Sequence, residues 1–137
     1  MVLDLKAFVP ARDFDHSKRF YLDLGFRENW GNEQVSEFEI GGHRFLLQNY
    51  YVKELADNFM MHLMVESADT WWEHIKSIGL KDKYDLIMAK PPELQPWGLR
   101  VLYLSDPSGV LWHIADRPEA RKGVAARPVG PEHERAG

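Results

Sequence analysis

The sequence predicts an α+β fold built from two β-α-β-β-β modules, and three observations lead to this prediction. First, two apolar runs flank a D-P-S-G turn within residues 97–116 of the 137-residue chain, a pattern typical of paired strands. Second, helix starts at Asp13 and Ser67 superpose without a gap, so that Gly25 falls on Gly79. Third, apolar runs and turns follow both helices in the same order, which indicates internal duplication of one unit.

The first module, residues 1–53, is predicted from its apolar periodicity and its helix ends. Apolar residues alternate from Leu3 to Val9, so we expect a strand whose odd residues are buried. Asp13 is a favourable helix N-cap, and Gly25 ends the helix because glycine tolerates a left-handed backbone. The predicted elements are a strand over 3–9, a helix over 13–25, a short strand near 26–30, and strands over 35–40 and 43–48 around a Gly41-Gly42 hairpin turn.

The second module, residues 54–116, repeats this order. Ser67 caps its helix, and the strand pattern places His113 on the face opposite Trp112 and Ile114. The predicted elements are strands over 60–65 and 84–89, a stiff proline-rich loop over 91–96, and hairpin strands over 101–104 and 110–114. Residues 117–137 are rich in proline, small residues and mixed charge, so we expect a largely disordered polar tail.

Composition excludes several classes of protein. Because cysteine is absent, disulfides, thiolate metal sites and cysteine nucleophiles are ruled out. A formal net charge of -4, spread along the chain, argues against nucleic acid as the partner. No apolar run reaches the roughly 20 residues of a transmembrane helix, and the first residues do not resemble a signal peptide. We therefore expect a cytoplasmic protein that binds neither nucleic acid nor membranes.

Two motifs resemble those of the vicinal-oxygen-chelate superfamily of glyoxalases, extradiol dioxygenases and bleomycin-resistance proteins. Residues 13–26 match its D-x-x-x-S-x-x-F-Y-x-x-L-G-F helix. Residues 97–113 combine W-G-x-R with D-P-x-G-x-x-x-H, which is most similar to the bleomycin-resistance branch. The resemblance implies curved mixed sheets that form a groove, helices on the outer face, and a homodimer with two symmetric grooves.

The resemblance also implies where a metal would be bound in the enzymes of the superfamily. The corresponding positions hold Lys6, Gln48, Met60 and His113. A protonated lysine repels a divalent cation and a thioether is a soft ligand, so His113 is the one good ligand of this set. The alternative is a metal-dependent lyase or dioxygenase with a displaced divalent-metal site at His62 and His113, completed by Gln48.

The resemblance therefore favours a metal-independent protein that binds and sequesters a small molecule, with antibiotic resistance as the biological role. No catalytic residue and no cofactor are assigned, and a bleomycin-type glycopeptide is the candidate ligand. A third alternative is a structural or regulatory protein whose groove binds nothing small. The residues expected to line the groove are Lys6, Phe8, Gln48, Met60, His62, Trp97, Arg100, Tyr103 and His113.

Overall fold

The computed structural model describes residues 1–118 and confirms the α+β fold, with two four-stranded mixed sheets and accompanying helices. The elements in chain order are β1 (Phe8–Pro10), α1 (Phe14–Leu24), β2 (Arg27–Gly31), β3 (Val35–Ile40), β4 (His43–Gln48), α2 (Lys53–Asp57), β5 (Met60–Met64), α3 (Ala68–Ser77), α4 (Leu80–Lys83), β6 (Ala89–Leu94), β7 (Arg100–Ser105) and β8 (Leu111–Asp116).

Both sheets have the same topology. Their strand orders are β1-β4-β3-β2 and β5-β8-β7-β6. In each sheet the first and last strands of the module pair in parallel, and the other neighbours pair antiparallel. The repeat detected in the sequence is therefore a repeat of three-dimensional structure.

The turn and capping residues act as their chemistry predicts. Asp13 accepts a hydrogen bond from the His16 N–H at 3.1 Å, and Ser67 accepts one from the Thr70 N–H at 3.2 Å. Gly25 follows α1 with a φ of 126°, which a residue with a Cβ rarely adopts. These local interactions fix where α1 and α3 begin and where α1 ends.

The predicted first strand is too long. β1 begins at Phe8, and Leu3 and Leu5, expected in the core, are 87% and 91% exposed. Alternation gives the side of a strand on which a residue lies, but burial requires a second layer on that side. Val9 alone of the odd residues from Leu3 to Val9 has such a layer and is fully buried.

The predicted strand over 84–89 and the predicted loop over 91–96 are also corrected. Helix α4 occupies residues 80–83, and β6 is formed by Ala89–Leu94, including Pro91 and Pro92. β6 is an edge strand, and its pairing with β7 shifts register between Lys90 and Glu93. An edge strand with a bulge tolerates proline because the missing N–H faces away from the ladder or falls within the irregularity.

One hydrogen-bonded seam joins the helix sides of the two modules. The buried Tyr21 hydroxyl donates to Asp106 Oδ2 at 2.6 Å and accepts from Trp112 Nε1 at 3.0 Å. The Ser108 and Val110 N–H groups donate to Asp106 Oδ1 at 2.8 and 3.0 Å. Burial raises the pKa of Asp106 to about 6, against the opposing effect of these donors. The D-P-S-G turn therefore anchors the second module to α1.

The expected tail lies almost entirely outside the described part of the chain. Arg117 and Pro118 follow β8 without regular structure, and residues 119–137 are outside the described residues. Within residues 1–118, no helix has the length and apolar character needed to cross a membrane.

Candidate ligand-binding faces

The first sheet has a face that points away from α1 and carries three of the predicted groove residues. Phe45 and Phe38 contact Tyr21 on the helix side, so the alternate residues of β3 and β4 lie on the other side. We call this side the first open face. It consists of Phe8, Glu37, Glu39, Arg44, Leu46 and Gln48, with Lys6 and Asn29 reaching its carboxylates.

Charged groups on the first open face are already paired. The Lys6 ammonium donates to Glu37 Oε1, and Asn29 Nδ2 donates to Glu37 Oε2 at 2.8 Å. Hydrogen bonds from Lys6 first and Asn29 second lower the pKa of Glu37. Arg44 bridges Glu39 at 3.2 Å and Asp4 at 2.8 Å. The face is therefore polar and charge-compensated, with Phe8 as its half-exposed aromatic side chain.

The second sheet has a corresponding face that points away from the core. Trp112 and Ile114 are buried on the core side, and His113 lies opposite them as the sequence predicts. The strand register places His113 between His62 of β5 and Tyr103 of β7. We call this side the second open face. Its accessible residues are Met60, His62, Met64, Tyr103, Leu111 and His113, and Val101 and Ala115 are buried on the same side.

Aromatic and imidazole rings form a row across the second open face. The ring centroids of His62 and His113 are 6.1 Å apart, and those of Tyr103 and His113 are 4.8 Å apart in an edge-to-face arrangement. Burial, and secondarily the charge of His62, lower the pKa of His113. This face therefore presents a row of flat rings.

Two predicted groove residues lie elsewhere. Arg100 occupies the helix side of β7, where it forms ion pairs with Asp69 of α3 at 2.8 Å and with Asp116 at 3.4 Å. The structure does not bring Arg100 together with Tyr103, because the two residues are three positions apart on β7 and therefore lie on opposite faces of the sheet. Trp97 lies in the turn between β6 and β7 and is half exposed.

The structure groups the predicted residues on two separate surfaces. Lys6, Phe8 and Gln48 belong to the first sheet, whereas Met60, His62, Tyr103 and His113 belong to the second. The modules meet on the helix side, where Asp23 of α1 accepts hydrogen bonds from Lys83 at 2.7 Å and Tyr84 at 2.5 Å. Helices α1 and α3 therefore lie on the side opposite to the two open faces.

A polar cleft that the sequence did not reveal adjoins the first sheet. It has a volume of about 1050 Å³ and lies between the start of α1 and the β2–β3 connection. Trp30, which is half exposed, lines it together with the acidic residues Asp13, Asp15, Glu28 and Glu33 and the basic residues Arg12 and Lys18. These residues are distant in sequence and have no common motif, so only the fold could show that they share a cleft.

Comparison with known proteins identifies the family. The sequence model of the Glyoxalase/Bleomycin resistance protein/Dioxygenase superfamily matches residues 5–114. The chain belongs to this superfamily. A bleomycin resistance protein of Klebsiella pneumoniae is 29% identical over 113 residues, which cover 77% of this chain and 86% of that protein.

Solved structures of the superfamily share the fold described above. A bleomycin resistance determinant encoded on transposon Tn5 has a TM-score of 0.68 and 25% identity, covering 84% of this chain and 98% of its own. A bleomycin-binding protein in complex with bleomycin has a TM-score of 0.70 and 23% identity, covering 85% and 100%. Relatives of the bleomycin-resistance type are thus prominent among its neighbours.

The residues at the superfamily's metal positions do not fit a divalent metal. Lys6 is cationic and bonded to Glu37, Met60 is a soft thioether, and Gln48 is neutral, which leaves His113. Among residues 1–118, no three His, Cys, Asp or Glu side chains are grouped as a metal ligand set. The displaced site is not favoured either, because Gln48 lies on the first sheet and His62 and His113 on the second.

Proposed function

We propose that this chain is a metal-independent, non-catalytic protein that binds and sequesters a bleomycin-type glycopeptide in the cytoplasm. The observation that carries this proposal is the pair of open faces, which keep the shape of the superfamily's sheets while holding side chains unsuited to its metal. The names of the Klebsiella relative and of the structural neighbours support the ligand class. Binding without turnover requires only these surfaces.

The second open face and the polar cleft beside the first sheet suit a ligand with flat rings and positive charge. Tyr103, His113 and His62 offer flat ring surface on which a heteroaromatic group can stack. Trp30 favours a cationic group, as do the four acidic side chains of the cleft, which outnumber its two basic ones. Lys6 does not oppose a cation because Glu37 compensates its charge.

We further propose that the functional unit is a homodimer in which the first open face of one copy and the second of its partner form each groove. Apolar side chains of the sheet region support this arrangement, because Leu3 and Leu5 beside β1 and Met60 of β5 are strongly exposed. A second copy that covered them would bury apolar surface and close the groove at the same time. One contact between two copies would thus cover the exposed leucines beside β1 and the exposed methionine of β5.

Calorimetric titration with a metal-free bleomycin-type glycopeptide tests the ligand. We expect saturable binding by the full chain, and an affinity about tenfold lower for Tyr103→Ala because a stacked aromatic ring is lost. Leu22→Ala, an exposed apolar change on α1, is the matched control and should bind like the wild type. Absence of heat, together with absence of resistance when the chain is expressed in sensitive cells, would refute the proposal.

Light scattering after size-exclusion chromatography tests the dimer. We expect a mass twice the 16.0 kDa of one chain, and a shift towards the monomer for Leu5→Asp. If the wild type is a monomer and still binds the glycopeptide, the proposal of a groove shared between two copies is contradicted.

A further inference from the structure

Strand β5 presents an unusual set of side chains on the second open face. Its sequence, M-M-H-L-M, places Met60, His62 and Met64 on the open side, while Met61 and Leu63 pack against the core. Met60 and Met64 are 63% and 43% exposed. His113 of β8 lies directly beside His62 in the parallel ladder.

We propose that Met60, His62, Met64 and His113 form a binding site for one monovalent copper ion, Cu(I). Thioether sulfur and imidazole nitrogen are soft to borderline ligands, and this combination selects Cu(I) over the harder divalent ions. Carboxylates would favour a harder ion, and no group of three metal-binding His, Cys, Asp or Glu side chains occurs in residues 1–118. The ligand set is therefore different in kind from that of the superfamily's metal enzymes.

Spacing of the two imidazoles suits a single bridging ion. A nitrogen–metal bond is roughly 2.0 Å and the nitrogen lies roughly 1.1 Å from its ring centre, so two rings on one ion have centres roughly 5.1 Å apart at a tetrahedral angle and roughly 6.2 Å apart at a linear one. The ring centroids of His62 and His113 are 6.1 Å apart, with planes tilted by 35°. Small side-chain rotations can therefore direct one nitrogen of each ring at the same ion.

The two methionines flank this position from either side along β5. Each lies two residues from His62, which places its Cα roughly 6.6 Å from that of His62 on the same face. A methionine side chain has three rotatable bonds and adapts to its surroundings, so either sulfur can reach an ion held by the imidazoles. All four side chains belong to one chain, so the site is complete without the glycopeptide.

Competition with a chromogenic Cu(I) chelator under anaerobic, reducing conditions tests the site on the untagged full chain. We expect the wild type to withdraw an equimolar amount of copper. A double variant with His62→Gln and His113→Gln should leave the copper with the chelator. Met61→Leu on the core side of the same strand and His43→Gln in the first module are the matched controls, and both should retain wild-type binding.

A second double variant and a spectroscopic measurement distinguish the site from general loss of fold. Met60→Leu with Met64→Leu changes two exposed positions, so we expect an unchanged melting temperature and weaker copper binding. X-ray absorption of the copper-loaded wild type should show copper–sulfur scattering that this variant lacks. A wild type that withdraws no copper, or copper bound without sulfur, would overturn the proposal. Glycopeptide binding is tested separately, by titration of the copper-free wild type.

Discussion

Replacing Tyr21 by phenylalanine tests the seam between the two modules. The substitution removes one hydroxyl from a fully buried ring and leaves the packing of that ring in place. Asp106 then loses its 2.6 Å donor, and the Trp112 indole N–H loses its 3.0 Å acceptor. Asp106, a buried carboxylate, loses one hydrogen bond, and the buried Trp112 N–H loses its acceptor. Each loss should cost about 1.5 kcal/mol, so we expect the free energy of unfolding to fall by about 3 kcal/mol.

The same variant has a pH signature. The pKa of Asp106 in the folded protein, about 6, lies above its ordinary value of 3.8, so the folded state holds this proton more tightly. The stabilisation that comes from this tighter proton binding is complete below pH 3.8 and is lost as the pH rises through about 6. Because the Tyr21 hydrogen bond lowers that pKa, Tyr21→Phe should raise it further. The difference in free energy of unfolding between the wild type and Tyr21→Phe should therefore be larger at pH 8 than at pH 5.

Urea unfolding followed by tryptophan fluorescence at pH 5 and pH 8 measures both effects. Tyr103→Phe is the matched control, since it makes the same chemical change on the second open face and should alter stability by less than about 0.5 kcal/mol. If Tyr21→Phe is as stable as this control at both pH values, the seam does not join the modules as we describe.

Three further changes test local features. Gly31→Ala should lower the melting temperature, at a cost of about 1–3 kcal/mol, because its Cβ would lie 2.2 Å from Ser36 Oγ; unchanged melting would contradict this close approach. Ser67→Ala should cost about 1 kcal/mol in urea unfolding through loss of the α3 cap, whereas Ser67→Thr should retain most of that energy. Lys6→Gln should raise the pKa of Glu37 towards its ordinary value, measured by carboxyl NMR titration, while changing stability by less than about 1 kcal/mol. If the pKa of Glu37 is unchanged in this variant, Lys6 does not compensate the charge of Glu37.

The sequence by itself determined the features that depend on neighbouring residues. Asp13 and Ser67 are caps because their side chains bond to N–H groups three residues later, and the D-P-S-G turn joins β7 to β8. Alternation along β8 correctly placed His113 opposite Trp112. The repeat of these signals revealed the two modules, and the motifs that they contain led to the superfamily.

Tertiary structure decided everything that depends on which surface covers another. Leu3 and Leu5 alternate like core residues but have no layer above them, and Pro91 and Pro92 join a strand because that strand lies at an edge. Tyr21 and Asp106 are 85 positions apart, and no local pattern pairs them. Periodicity specifies the side of an element on which a residue lies, whereas burial and pairing arise from contacts between distant segments. The separation of Lys6, Phe8 and Gln48 from Met60, His62, Tyr103 and His113 is therefore a property of the fold that the sequence could not show.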